Sequence, residues 1–500
     1  MLGIKAQAQD INGKTYNRWT MLSVIIIGAF CTILNQTILA TAFPTLMHTF
    51  NVSTATVQWL TTAFLMVNGI VIPITAYLTN RVNSKWLFIT AMIIFECGTI
   101  VAFKAPNFGT LLTARIIQAL GVGISMPLVQ NLALSMFPPE QRGVIIGLVG
   151  IPIGVAPAIG PTLSGWIIDN YSWRDLFGML IPIVAIVIIL AFFALHPVIK
   201  NKKDSIDIPS VILSTIGFGL LLYGFSSVGN DGWTAKNVIW SIIVGAIVVV
   251  IFSIRQLKLK NPFLEIRVFK SPIFTLSTVL ASFTMICMMG VEFVLPLYLQ
   301  IVHQMSAFHS GLTLLPGALM MSIMNPITGR TFDKQGARRL AIIGLFILFF
   351  STMPFVTLTK HTSTTFVTVL YAVRMFGITM VTMPVTTAAM NSLPNSLIAH
   401  GTAVNNTTRQ IATSIGTAIL ISVLTNVSNN HMPSHSLLHT APLKYKSQAL
   451  TATLTGYHTT FLVALIFGLI ALILSFFLKK GNFILNQKKA TNYNTNGGPK

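Results

Sequence analysis

Apolar runs long enough to cross a bilayer recur along this chain from Trp19 to Leu478. A helix of about 20 apolar residues spans the hydrocarbon layer. Inside that layer a backbone N–H has no water to bond, so each run must be helical. Fourteen such runs can be placed: 20–44, 56–79, 86–104, 109–133, 143–168, 175–196, 208–228, 236–255, 273–299, 310–329, 339–358, 365–387, 401–426 and 458–478. They predict an all-α, multi-pass membrane protein whose main partner is the lipid bilayer. Only 9% of residues are charged, against ~25% in soluble chains. The first run is of span length and lacks a small-residue cleavage site, so it reads as a span and not as a cleavable leader.

The formal charge of +21 would suit a nucleic-acid binder. Its placement argues otherwise. An even number of spans puts both termini on one side, and 23 of the 32 Lys and Arg residues fall there. Six fall on the opposite side, and Arg115, Arg374 and Arg409 lie within spans. Basic loops stay cytoplasmic. Both termini are therefore expected in the cytoplasm, the bias is a topology signal, and no nucleic-acid partner is expected. Cys31, Cys97 and Cys287 all lie in apolar runs and read as small buried hydrophobes.

The chain carries an internal duplication. Ala76-Tyr-Leu-Thr-Asn80-Arg81-Val-Asn83-Ser-Lys85 follows the second run, and Gly329-Arg-Thr-Phe-Asp333-Lys334-Gln-Gly336-Ala-Arg338-Arg339 follows the tenth, 253 residues later. Arg115 and Arg374 are related by a similar shift. Spans 1–6 thus repeat as spans 9–14, with spans 7–8 inserted. The expected organisation is a segment 1–19, a six-helix half 20–199, two inserted central helices with their loops 200–270, a second half 271–478, and a cytoplasmic tail 479–500 whose Lys/Asn/Gly-rich composition suggests disorder. Two pseudo-repeated halves around a midplane site are a transporter plan. The basic loop residues Asn80, Arg81, Lys85, Asp333, Gly336 and Arg338 are candidates for a lock between helices on the cytoplasmic side; plain positive-inside anchoring is the simpler account.

Within the fifth run, Gly150-Ile-Pro-Ile-Gly154-Val-Ala-Pro157-Ala-Ile-Gly160-Pro161-Thr-Leu-Ser-Gly165 would break a helix in water, where each internal Pro costs ~3 kcal/mol and each Gly ~1. In a bilayer the stretch stays helical and neighbours absorb the bends. Gly150, Gly154 and Ala158 share a bare face that admits another helix closely. Pro157 and Pro161 are expected to bend it. Such a span suits a hinge or seal between moving halves; a tightly packed structural helix is the plainer alternative.

Of eleven acidic residues, only Glu96 and Glu292 lie well inside apolar runs. An ionisable group at that depth is costly and is by default a functional candidate. Arg115 and Arg374 are their cationic counterparts, each also readable as a fixed structural hydrogen bond. His431, His435 and His439 are spaced by four, but Pro433 interrupts them in a polar loop, so no metal site is expected. No G-x-x-x-x-G-K-[ST] pattern is present to suggest an ATP-driven pump.

Several motifs in order resemble the fourteen-span drug:proton antiporter group of the major facilitator superfamily, nearest to lincomycin-resistance-type exporters. They are Leu34-Asn35-Gln36-Thr37-Ile38-Leu39-Ala40-Thr41-Ala42-Phe43-Pro44 in span 1, Arg115 through Gly123 in span 4, Gly154…Gly160-Pro161…Gly165 in span 5, Tyr171-Ser-Trp173-Arg174-Asp175-Leu-Phe177 after it, and Asn405-Asn-Thr-Thr-Arg409-Gln410 in span 13. The span-5 stretch is similar to the antiporter motif of that group. The chain departs from the group at Asn35, where many members carry Asp, and at Asn80 and Asn83, where the pattern has Asp and Gly.

The resemblance implies export of hydrophobic or cationic drugs from the cell membrane, driven by a proton gradient without other cofactor or enzymatic step, by a chain expected to act as a monomer. It also implies that spans 1, 4, 9 and 12 line a central cavity, placing Asn35, Gln118, Met288 and Arg374 on its walls. At ~1.5 Å per residue, Asn35, Arg115 and Glu292 fall at similar outer depth. Glu292 is then the expected proton or cation site, with Arg115 as its modulator and Glu96 as the alternative. A transporter of one metabolite or lipid, and a non-transporting receptor or sensor, are the rival readings.

Overall fold

The structure is a computed structural model that describes residues 7–478 apart from 40, 41, 53, 200–206 and 435. Among the described residues, fourteen helices are long and apolar enough to cross a membrane. The spanning helices are, in order, Arg18–Thr37, Thr54–Arg81, Ser84–Phe103, Phe108–Met136, a fifth in two pieces (Arg142–Val149 and Ile151–Asn170), a sixth ending in Leu180–Ala194, then Ile208–Asp231, Lys236–Lys258, Pro272–Ile301, Ala307–Gln335, Ala337–Thr352, Thr364–Asn391, Ile398–Asn430 and Pro442–Ser475.

The two halves pack by one plan. In the first half span 1 packs on spans 4, 5 and 6, span 4 on spans 2 and 3, and span 3 on span 6. In the second half span 9 packs on spans 12, 13 and 14, span 12 on spans 10 and 11, and span 11 on span 14. The halves meet through span 5 against span 10 and, by the same symmetry, span 13 against span 2. The inserted span 7 seats against spans 2 and 13, one from each half. Trp59 stacks on its Tyr223 at 5.8 Å, and Trp233 after it donates to Ser422 Oγ at 2.9 Å. Span 8 touches mainly span 7 and turns Ile243, Ile247, Val250 and Ile254 outward, as a lipid-facing helix does.

Three expectations change in detail. Span 1 ends at Thr37, and a short helix, Phe43–Phe50, follows with Pro44 in its first turn, where a missing N–H does no harm. The stretch 429–457 is not an open loop: Ser436–Thr440 is helical and span 14 already begins at Pro442, its Thr451, Thr453 and Thr455 hydroxyls bonding back to carbonyls four residues earlier. The segment before span 1 forms a two-stranded hairpin, Gln7–Gln9 with Thr15–Asn17. The tail 479–500 lies outside the described residues, as does His435. His431 Nδ1 bonds Val427 O at 2.8 Å, and no group of three possible metal ligands occurs among the described residues.

Candidate functional site

Each half is riveted by a fully buried arginine in its fourth helix. Arg115 donates to Leu60 O at 3.3 Å, Asn35 O at 3.3 Å and Gln118 Oε1 at 2.9 Å, with its guanidinium 4.1 Å from the Phe64 ring centre. Gln118 passes the network to Thr99 of span 3 at 3.0 Å. In the second half Arg374 donates to Thr352 Oγ1 at 3.1 Å and to the carbonyl of Cys287. Thr99 and Thr352 stand 253 residues apart, the shift that relates the two loops. A buried guanidinium stays charged and is tolerated only when bonded, so these bonds tie the fourth helix of each half to its first and third.

Asn35 explains itself within this network. Gln118 Oε1 already accepts from Arg115, and Asn35 Nδ2 donates to the same oxygen at 3.2 Å. An Asp there would set acceptor against acceptor. Asn35, Gln118 and Arg374 have no exposed surface and Met288 is 3% exposed, so all four lie inside their own halves.

The two deep acids lie in different halves. Glu96 is 8% exposed, within electrostatic reach of Cys31 on span 1. Glu292 is partly buried, and the charges of Arg374 and the Tyr371 hydroxyl bear on it. In each carboxyl, Oε2 is sealed from the surface with no hydrogen-bond partner among the described residues. The expected meeting of Arg115 with Glu292 does not occur. Arg115 is bonded inside the first half, and the cation that faces Glu292 is Arg374. Depth along a helix fixes height but not the direction a side chain points, which is why the sequence misassigned the pair.

The seam between halves runs along span 5. Its glycines are spaced for span 10: Gly147 lies against Asn325 O, Gly150 accepts from Asn325 Nδ2 through its carbonyl at 3.0 Å, and Gly154 lies against Ser322 and Ala318. A Cβ on Gly154 would stand 2.8 Å from Ser322 Oγ. Gly160 instead faces Thr37 of span 1, and Gly165 faces open space. The helix is interrupted at Gly150, where Pro152 withholds the N–H that Leu148 O would accept, and then runs unbroken through Pro157 and Pro161. The break at Gly150 lies about two turns before Pro157.

At the end of the bundle that carries the basic loops, Asp333 closes the seam. Its two oxygens accept from the backbone nitrogens of Gly143 at 3.0 Å and Val144 at 3.2 Å, capping the helix that starts at Arg142. Arg142 reaches Asn391 at 3.3 Å and Asn395 at 3.0 Å in the other half. Gly336 ends span 10 at φ +77°, a conformation that favours glycine. Its counterpart Asn83 has φ −54° and caps span 3 through Lys85 N at 3.0 Å, so the two copies turn differently. Arg81 bonds Tyr77, and Lys85 Nζ bonds Phe192 O at 2.6 Å, both within the first half. Arg338 is partly exposed and in no ion pair among the described residues.

The first copy of the loop has its own bridge. Asn80 contacts His400 Nε2 at 3.1 Å, at the start of span 13, while His400 Nδ1 accepts from the Glu265 backbone at 3.2 Å. The Asn80 atom at that distance is Nδ2, and which group donates depends on the tautomer of the ring. Further along the seam Asn406 donates to Gln130 at 3.2 Å. Sequence reading missed Ser322, Asn325, His400 and Gln130, and held Asn406 only as part of the span-13 motif. The first two were detectable: Ser322, Asn325, Gly329 and Asp333 form a small and polar stripe at helical spacing, matched to Gly143, Gly147, Gly150 and Gly154.

Comparison with known proteins agrees with this architecture. The profile of the Major Facilitator Superfamily matches residues 25–417. The chain is 50% identical over 471 residues to the uncharacterized MFS-type transporter YcnB of Bacillus subtilis (strain 168), covering 94% of this chain and 97% of that one. It is 38% identical over 462 residues to the lincomycin resistance protein LmrB of the same organism, covering 92% and 95%. Its fold is similar to the structure of the proton:xylose symporter XylE, with a TM-score of 0.61 at 14% identity, covering 92% of this chain and 96% of that one. The chain belongs to the major facilitator superfamily of membrane transporters.

Proposed function

We propose that this transporter exports hydrophobic or amphiphilic drugs across the cell membrane by alternating access, using inward proton flow as its energy source. Both termini and the basic loops are then cytoplasmic, and the protein acts as a monomer without a bound cofactor. The observation that carries the reading is Glu292: a carboxyl well inside span 9, with one oxygen free of partners among the described residues and an arginine within electrostatic reach. Such a group can take up and release a proton without breaking a hydrogen-bonded core. When ionised it attracts Arg374; when protonated that attraction ends. Arg374 is bonded to spans 9 and 11, so the change bears on the packing of the second half. The likeness to a lincomycin resistance protein supports a drug as cargo.

In this arrangement the seam is closed at the basic end by Asp333, Arg142 and the Asn80–His400 bridge. That closure supports a cytoplasmic gate that must open for the cargo to enter. The test is efflux of a dye and antibiotic panel from proteoliposomes under an imposed pH gradient. Uphill movement of several unrelated compounds is the expected result. Movement of one solute alone would support a metabolite transporter, and binding without counterflow a sensor.

A further inference from the structure

Five ionisable side chains lie deep in the spans: Glu96, Arg115, Glu292, Arg374 and Arg409. Three are cationic and two anionic, so the interior holds an excess positive charge. Arg115 and Arg374 spend their guanidinium groups on carbonyls and side chains of their own halves. Arg409 does not. Among the described residues its guanidinium takes part in no hydrogen bond and no ion pair, and its Nε is sealed from the surface. Its backbone carbonyl accepts from Thr413 Oγ1 at 2.8 Å.

Its neighbours show where it sits. On the same stripe of span 13, Asn405 donates to Thr278 of span 9 at 3.1 Å and Gly416 lies against Ile286. Arg409 falls between these contacts, beside span 9. One residue on, Gln410 lies against Gly69 of span 2, in the other half. From Thr408 to Ile415 every residue keeps some exposed surface, so the helix passes open space at this level. An arginine keeps its charge at any pH a cell reaches. Half-buried and unpaired among the described residues, such a charge attracts an anion, and the exposed surface at this level gives an anion access to it.

We propose that Arg409 is the docking point for a negatively charged group on the transported molecule, so that the cargo is an amphiphilic acid or zwitterion and not a simple cation. The planar fork of N–H donors fits a carboxylate through two parallel bonds. The inference rests on the transport reading above, and narrows its substrate class.

Binding of three dyes that share a xanthene ring system tests it: fluorescein, an anion; rhodamine B, which keeps a carboxylate; and rhodamine 6G, in which that carboxylate is esterified. Fluorescence anisotropy is read on the full chain in nanodiscs, in gluconate buffer with no pH gradient. The wild type should prefer fluorescein and rhodamine B to rhodamine 6G. Arg409→Gln should weaken the two carboxylate dyes about tenfold or more and leave rhodamine 6G within about twofold, the scale of losing one desolvated charge pair. Arg409→Lys, which keeps the charge but not the fork, should fall between. A wild type that prefers rhodamine 6G, or a loss shared equally by all three dyes, overturns the proposal. So does chloride that competes at Arg409 while the dyes show no discrimination, since the counter-ion is then inorganic. Dye preference needs no gradient, so a failure of pH-driven efflux with this preference intact would count against the energy source and not against Arg409.

Discussion

The carboxylate of Asp333 sits on the N-terminus of the helix that begins at Arg142, 3.0 Å from the backbone nitrogen of Gly143. One residue of the second half thereby satisfies two orphan N–H groups of the first, and its negative charge faces the positive end of the helix dipole. The bond exists only while the halves are closed at this end. Asp333→Ala removes a cap worth ~1 kcal/mol, or roughly a fivefold shift away from the closed arrangement. A cysteine at Ser322, further in along the same seam, should then react faster with a thiol reagent applied from the basic end. An unchanged labelling rate would mean that the cap does not hold the gate.

Gly154 permits the closest approach of span 5 to the hydroxyl of Ser322. Gly154→Ala places a methyl 2.8 Å from that oxygen and 3.3 Å from Met321 Cγ. Overpacking of this kind costs ~1–3 kcal/mol, more than the ~1 kcal/mol that alanine returns in helix propensity. Efflux should fall, and Ser322→Ala in the same chain should restore part of it. Gly165→Ala meets nothing within 4 Å and should leave efflux unchanged. Equal effects at positions 154 and 165 would show that the contact with span 10 is irrelevant to transport.

The hairpin before span 1 is clasped to the end of span 6 by Asp10 and His196 at 3.1 Å, with Tyr16 stacked on the imidazole. Burial pushes the Asp10 carboxyl up, but the His196 bond and the backbone N–H groups of Lys14 and Asn12 together hold it below its ordinary value. A depressed acid stabilises the clasp above its unfolded pKa and loses that contribution as pH falls through the lower folded one. Amide exchange at Asn12 and Lys14, measured near neutral pH, should therefore quicken several-fold in Asp10→Asn. Slow exchange in that variant would show that the strand pairing suffices without the Asp10 carboxylate.

Span number, the duplication and the close packing of span 5 were legible because the bilayer imposes a length and a polarity on every helix. Gly336 was legible too, since its φ of +77° favours glycine. The partners were not. Arg115 and Glu292 share a depth, yet the packing of each half on its own arginine sends them to different networks. The length of span 14 was hidden because its outer turns, 442–457, are polar and helical at once. His400 gave no signal at all: nothing local to span 13 says that a histidine there will meet Asn80, some 320 residues earlier.

Orientation rests on the basic loops, and one labelling experiment tests it. Asn430 ends span 13 and is exposed. In a background lacking Cys31, Cys97 and Cys287, Asn430→Cys should react with an impermeant thiol reagent added to intact cells. Reaction only after lysis would invert the protein in the membrane, and with it the assignment of the Asp333 seam to the cytoplasmic side.

The proposed proton coupling has two candidate carboxyls. Glu292 and Glu96 each have one oxygen without a partner. Among the described residues only Glu292 has a fixed cation in electrostatic reach, and that cation bridges spans 9, 11 and 12. Glu96 bears on Cys31 at the span 1–span 3 contact, where no switchable charge pair is present among the described residues. Glu292→Gln keeps the shape and removes the charge. It should abolish efflux driven by a pH gradient while leaving the binding of neutral compounds within about twofold, since only one ion-linked interaction is lost. Glu96→Gln should do less. Arg374→Gln removes the cation and also unties the rivet, so it should lower both efflux and thermal stability, which separates a structural loss from a coupling loss. If the Glu292 variant still pumps uphill on a pH gradient and the Glu96 variant does not, the proton is carried on span 3, and the pairing of Glu292 with Arg374 is structural.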